Sequence, residues 1–92
     1  MRATAIFAAK MSREQAEQLA ALMEAGRATR PAGVETASLL YEDGVGRLIA
    51  FWKDRETLEG YLATADVPRG TELMRKVGVE PTVRVVDVLD LG

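Results

Sequence analysis

Trp52 and Tyr61 stand nine residues apart in the stretch F-W-K-D-R-E-T-L-E-G-Y-L, and they are the side chains best equipped to hold or act on an aromatic molecule. An indole offers a flat apolar face; a phenol adds a proton that can be given or taken. Trp52 reads first as an anchor packing a strand end against the following helix, and otherwise as part of a ligand pocket. Tyr61 divides evenly between a satisfied core tyrosine and a pocket wall, because a buried phenol needs a hydrogen-bond partner. Asp87 shares a predicted strand face with Val83, Val85 and Leu89, and a carboxylate there needs a cation. Arg47 and Arg84 are the candidates, and a structural ion pair is favoured over a catalytic acid or base. Asp90, Glu35 and Glu42 read as solvated positions near strand ends.

The composition removes several chemistries. There is no histidine, cysteine or asparagine, so the commonest general base, thiolate metal sites and disulfides are all excluded. Ser38 and Thr36 have no histidine to activate them as nucleophiles. Met23 and Met74 are more often plastic core filler than ligands. No metal site and no cofactor is expected. Twelve basic and fourteen acidic residues leave a net charge of -2, a poor start for binding nucleic acid or an anionic membrane. R-L-I-A-F-W also lacks the pattern of an RNA-recognition strand. No apolar run approaches the roughly 20 residues that span a bilayer, and A-T-A-I-F-A-A is too short for a signal peptide. A cytoplasmic protein is expected, and fourteen alanines with nine arginines against three lysines hint at a bacterial source.

The elements that must position these residues follow from periodicity. One domain is expected over residues 1–92, with 48% hydrophobic and 28% charged residues, ordinary for a globular chain. R-A-T-A-I-F-A-A predicts a first strand. Ser12 and Gln15 form a capping box for an amphipathic helix carrying Ala16, Leu19, Ala20 and Met23, with Met11 and Ala16 as a staple and Gly26 as its stop. A loop on Pro31 and Gly33 leads to V-E-T-A-S-L-L-Y-E, and Asp43-Gly44 predicts a tight hairpin into G-R-L-I-A-F-W. Asp54 caps a second helix bearing Leu58, Tyr61, Leu62 and Ala65. Residues 66–70 interrupt it, and T-E-L-M-R-K-V adds a further turn or two. Gly78 suits a left-handed ending with Val79 folded back onto Met74. Residues 82–91 predict the last strand. The fold class is α+β: a ferredoxin-like βαββαβ arrangement with a four-stranded antiparallel sheet.

Such a sheet is covered by helices on one face only, so the other should be polar if it meets water. Here both faces are apolar: Val45, Ile49 and Phe51 oppose Leu48, Ala50 and Trp52, while Ala3, Ala5 and Phe7 oppose Thr4, Ile6 and Ala8. A face of that size exceeds the few hundred Å² of contiguous apolar surface that monomers tolerate. A homodimer is expected, the second copy covering on the order of 800 Å² per subunit to form an α+β barrel.

S-R-E-Q-A-E-Q-L in the first helix, P-A-G-V before the second strand, F-W-K-D-R-E-T-L-E-G-Y-L and G-V-E-P-T before the last strand complete a chain that resembles the antibiotic biosynthesis monooxygenase-like family of dimeric α+β barrels. The most specific part is a tryptophan ending strand three, then an acidic-capped helix with an aromatic or histidine nine residues on, the places of Trp52 and Tyr61. The resemblance implies a homodimer with a cavity between sheet and helices in each subunit. Some members oxidise aromatic polyketides with molecular oxygen and no metal or flavin. A related branch opens haem with a strand-one asparagine, an aromatic at the place of Tyr61 and a histidine farther along the chain as iron ligand; this chain has only the aromatic, so haem degradation is not expected, and an amide-positioned enolate is disfavoured too. The expected site is a small, mostly apolar cavity for an aromatic or polyketide-like ligand, with Tyr61 as catalytic candidate and Phe7, Trp52 and Met74 as ligand-binding candidates. The alternative is a non-catalytic small-molecule-binding or interaction module that uses the barrel as a stable dimer.

Overall fold

Local chemistry sets the element ends. A computed structural model describes residues 1–91 and contains β1 (Ala3–Lys10), α1 (Arg13–Ala25), a 3-10 turn (Arg27–Thr29), β2 (Val34–Glu42), β3 (Val45–Trp52), α2 (Arg55–Thr64), α3 (Arg69–Lys76) and β4 (Thr82–Asp87). Both halves of the capping box form: Ser12 Oγ accepts the Gln15 N–H at 3.1 Å, and Gln15 Oε1 accepts the Ser12 N–H at 2.9 Å. The Gln15 amide also donates to the Val77 carbonyl at 2.9 Å, tying the start of α1 to the end of α3. Asp43 and Gly44 take φ of 51° and 77°, the paired positive angles of a two-residue hairpin that follows sheet twist. Gly78 has φ 88°, with Val79 N–H donating to the Met74 carbonyl and Gly78 N–H to the Arg75 carbonyl. This is the Schellman ending that the sequence predicts.

The second helical region is two helices. Ala65 turns to extended backbone, and Val67 precedes Pro68, which disfavours helix at that position. Pro68 then opens α3 without any side-chain cap of its own.

The sheet is antiparallel in the order β2-β3-β1-β4, the ferredoxin-like order. Register decides which parity of each strand meets the helices. Ala3, Ala5, Phe7 and Ala9 of β1 and Leu48, Ala50 and Trp52 of β3 are buried beneath them, around Leu19, Leu58 and Met74, which are fully enclosed. Thr4, Ile6 and Ala8 lie on the other face, beside Phe51, Ile49 and Arg47 of β3. Across the sheet this open face reads Thr36, Phe51, Thr4, Val86 in one row and Ser38, Ile49, Ile6, Arg84 in the next.

Two expectations are corrected. The last strand stops at Asp87 rather than running to Leu91, because its only partner β1 begins at Ala3, opposite Asp87. One further bond, Val88 N–H to the Arg2 carbonyl, follows, and Leu89 and Leu91 are exposed. Asp87 is also not a buried carboxylate awaiting Arg47 or Arg84. Its register with Ala3 puts it on the helix-covered face at the sheet edge, where it accepts from Arg55 Nη1 at 2.9 Å. Arg47 and Arg84 stand on the opposite face. Glu35 is exposed near the start of β2, as the sequence reading expects, and also pairs with Arg2 at 2.6 Å.

The Asp54 cap carries a pH prediction. Its carboxylate accepts the Thr57 N–H at 2.7 Å; that backbone bond, then the Thr57 hydroxyl, holds its pKa below the usual range. A lowered folded-state pKa means the stabilisation is complete above the unfolded value near 3.9 and fades as pH falls through the lower folded value. Asp54→Asn keeps a capping oxygen without the titration. Its urea midpoint should therefore fall less steeply than wild type from about pH 5 to 3; equal slopes would remove Asp54 from the acid response.

Candidate active site

The site begins with three alanines. Register aligns Ala37, Ala50 and Ala5 side by side across β2, β3 and β1 on the helix-covered face. A row of single methyl groups leaves a trough where larger side chains would meet the helices. The trough persists as a cavity of about 80 Å³, floored by these alanines and walled by Leu48, Leu58, Leu62 and Leu73.

One end is closed by Phe7 and α3. Gly70 rests directly on the Phe7 ring, where a Cβ would lie 2.6 to 2.8 Å from three ring carbons. Only glycine lets the helix approach that closely. Trp52 and Tyr61 form the neighbouring wall, their ring centroids 5.1 Å apart and tilted by 39°. Trp52 is 2% exposed, so it is both the core anchor and part of the lining. Tyr61 Oη accepts the Arg69 N–H at 2.7 Å, supplying from α2 the N-terminal cap that Pro68 cannot give to α3. The Tyr61 hydroxyl proton has no acceptor among the described residues. Pro31, Tyr61 and Arg69 line both the cavity and a shallow outer depression that also touches Thr29, Val67 and Glu72. These three residues are the neck between the cavity and solvent.

Of the sequence candidates, Phe7, Trp52 and Tyr61 thus converge on one cavity. Met74 is completely enclosed in the core and stands outside the lining. Sequence reasoning missed Arg27, Arg30 and Arg69, which all reach the cavity mouth. The available signal was the arginine content of two proline-bearing loops, R-A-T-R-P and V-P-R-G, which have no acidic residue within them. Among the described residues no cluster of three acidic, histidine or cysteine side chains could hold a metal, and no helix is long and apolar enough to cross a membrane.

Fold and cavity together define a ferredoxin-like α+β layer of the kind seen in antibiotic biosynthesis monooxygenase structures, matched over nearly the whole chain. SnoaB, a cofactor-independent oxygenase from Streptomyces nogalater, superposes with a TM-score of 0.63 at 18% identity, covering 97% of this chain and 94% of its own. A structure from Deinococcus radiodurans, provisionally described as an antibiotic biosynthesis monooxygenase, gives 0.60 at 14% identity, with coverage of 98% and 94%. Rv0793 from Mycobacterium tuberculosis gives 0.56 at 22% identity, with 96% of each chain covered. At these identities the likeness establishes the fold. No family model and no curated protein matches the chain.

Proposed function

We propose that this chain works as a homodimeric α+β barrel, each subunit binding a small aromatic ligand in the alanine-floored cavity and acting on it as a cofactor-independent monooxygenase. The observation that carries this reading is Tyr61: its oxygen is fixed by the Arg69 N–H while its proton is left free at the neck of an apolar cavity. A phenol held so can donate to the oxygen of a phenol-like substrate as that group passes its own proton to solvent at the neck; the enolate carbon, itself the reductant, then bonds molecular oxygen to give a peroxide, and loss of water from the peroxide leaves one oxygen atom on the ring as a carbonyl. Apolar walls keep water from the carbanion. The likeness to SnoaB supports the oxygenase reading through fold alone.

The dimer belongs to the same proposal. Ile6, Ile49, Phe51 and Val86 form a half-buried apolar patch on the face without helices, with Leu40 exposed beside it and Arg47, Arg84 and Glu42 near its rim. An apolar centre with a charged rim is the anatomy of a protein interface, and a copy of the same face satisfies it through a two-fold axis. A bacterial source is part of this reading, resting on fourteen alanines and on nine arginines against three lysines, and a cytoplasmic setting is proposed with it.

A second reading, a non-catalytic small-molecule-binding or interaction module that uses the barrel as a stable dimer, is favoured by the small size of the cavity. About 80 Å³ is less than the ~150 Å³ that admits benzene into a buried apolar cavity, so a ring enters only if flexible walls such as Met23 and Leu62 give way. Tyr61→Phe separates the two. As an oxygenase, the variant should lose on the order of 10²-fold in oxygen uptake with small phenols and still bind them. Wild-type uptake in the variant would remove Tyr61 from the mechanism; binding with no uptake by either protein would leave the module.

A further inference from the structure

The chain is acidic overall, yet its cavity mouth is not. Arg27, Arg30 and Arg69 all line it, and no aspartate or glutamate does. Of the three, Arg27 is neutralised by Glu24 at 2.8 Å. Arg69 is not: its guanidinium donates to the Thr29 carbonyl at 3.0 Å, the Gly26 carbonyl at 3.1 Å and the Thr29 hydroxyl at 3.1 Å, all uncharged acceptors. These bonds fix the orientation of the group and leave its charge without a counter-ion. Glu72, one turn along α3, lines the outer depression and makes no ion pair with it. Arg30 is half-buried and has neither hydrogen bond nor ion pair among the described residues.

A half-buried guanidinium without an anion is unusual, because desolvation is normally offset by a carboxylate or a phosphate. Even the exposed Arg2, Arg13, Arg55 and Arg75, which keep most of their hydration, each have a carboxylate partner. The two unpaired cations and the Tyr61 hydroxyl line the same cavity as the apolar trough. Cation, donor and greasy floor are three parts of one recognition surface.

From this we infer that the ligand is a small aromatic carboxylate, its ring in the alanine-floored cavity and its carboxylate held at the neck by Arg30 and Arg69. The inference rests on the cavity being the ligand site, as proposed above, and adds the charged group that the ligand must carry. Arg69 is preorganised by its bonds to the 3-10 turn, while Arg30 is free to close over the bound anion. Rim and interior therefore select different ends of one molecule.

Trp52, the chain's one tryptophan, lines the cavity and reports occupancy by its fluorescence. Titration of the full chain with benzoate, benzamide and benzylammonium, checked by amide chemical shifts, tests the inference. Benzoate should bind about tenfold more tightly than benzamide, the worth of one charge-assisted hydrogen-bond pair, and benzylammonium most weakly. Arg30→Gln, which breaks no hydrogen bond or ion pair among the described residues, should remove most of that preference, bringing the benzoate affinity toward that of benzamide. Arg69→Gln should also lower the ratio of benzoate to benzamide affinity, whatever loss of its bonds to the 3-10 turn does to both affinities; Arg69→Lys, which keeps the charge, should retain part of the preference should the glutamine variant fold poorly. Equal affinity for benzoate and benzamide, or a preference surviving both glutamine variants, would overturn the carboxylate inference while leaving the cavity as a ligand site. Absence of any shift with all three probes would overturn the cavity reading and this inference together.

Discussion

Phe51→Asp is expected to yield a folded single chain that no longer associates at micromolar concentration. Phe51 lies on the helix-free face, between Thr36 and Thr4 in the register of β2, β3 and β1, and contributes nothing to the core beneath the helices. Folding of the subunit should therefore survive. Across a two-fold axis the substitution enters twice, and each carboxylate would be drawn from water into apolar surroundings. The cations on that face stand off toward its rim, Arg84 in the next row and Arg47 two rows away. An unpaired charge in such a place costs about 3–5 kcal/mol, so two of them weaken association by well over ~10³-fold. Sedimentation equilibrium measures this, with circular dichroism confirming the fold. A wild-type chain that sediments as a monomer would end the two-copy reading, and a variant that stays dimeric would move the interface to another surface.

Legibility in the sequence followed the range of the interaction. Ser12 with Gln15, Asp43 with Gly44, and Gly78 with Val79 are pairs at most three residues apart, and each predicted its structure from side-chain and backbone chemistry alone. The alternation of β1 and β3 gave two apolar faces. What it could not give was which parity met the helices, since Ala3-Ala5-Phe7 and Thr4-Ile6-Ala8 are both greasy enough to be buried.

Register supplied what periodicity could not. Asp87 was assigned the wrong cation because its face depends on pairing with Ala3, eighty-odd positions away, and the partner Arg55 comes from a helix that no strand pattern places. The cavity floor has the same origin: Ala5, Ala37 and Ala50 are unremarkable separately and make a trough only when three strands align them. Arg69 is the extreme case. Its guanidinium reaches carbonyls at Gly26 and Thr29 across 43 and 40 residues, so its place at the mouth follows from how α3 packs and from nothing local.

That packing makes one substitution change sign between two helices. Gly60→Ala and Gly70→Ala each exchange a helical glycine for alanine, which by propensity alone adds about 0.5–1 kcal/mol of stability. Gly60 is exposed in α2 with nothing within 4 Å of an added Cβ, so it should show that gain. Gly70 is buried against Phe7, with ring atoms 2.6 to 2.8 Å from the new carbon; the ring is boxed in by the sheet, and α3 must lift instead. Overpacking of this kind costs about 1–3 kcal/mol, and it outweighs the propensity. Lifting α3 also draws the Arg69 N–H away from Tyr61 Oη and its guanidinium from the 3-10 turn, opening the neck. Urea midpoints of the two variants should therefore move in opposite directions from wild type, with Trp52 emission altered only in Gly70→Ala. Parallel shifts would mean that the contact between α3 and Phe7 is slack and that the cavity is not held closed at that end.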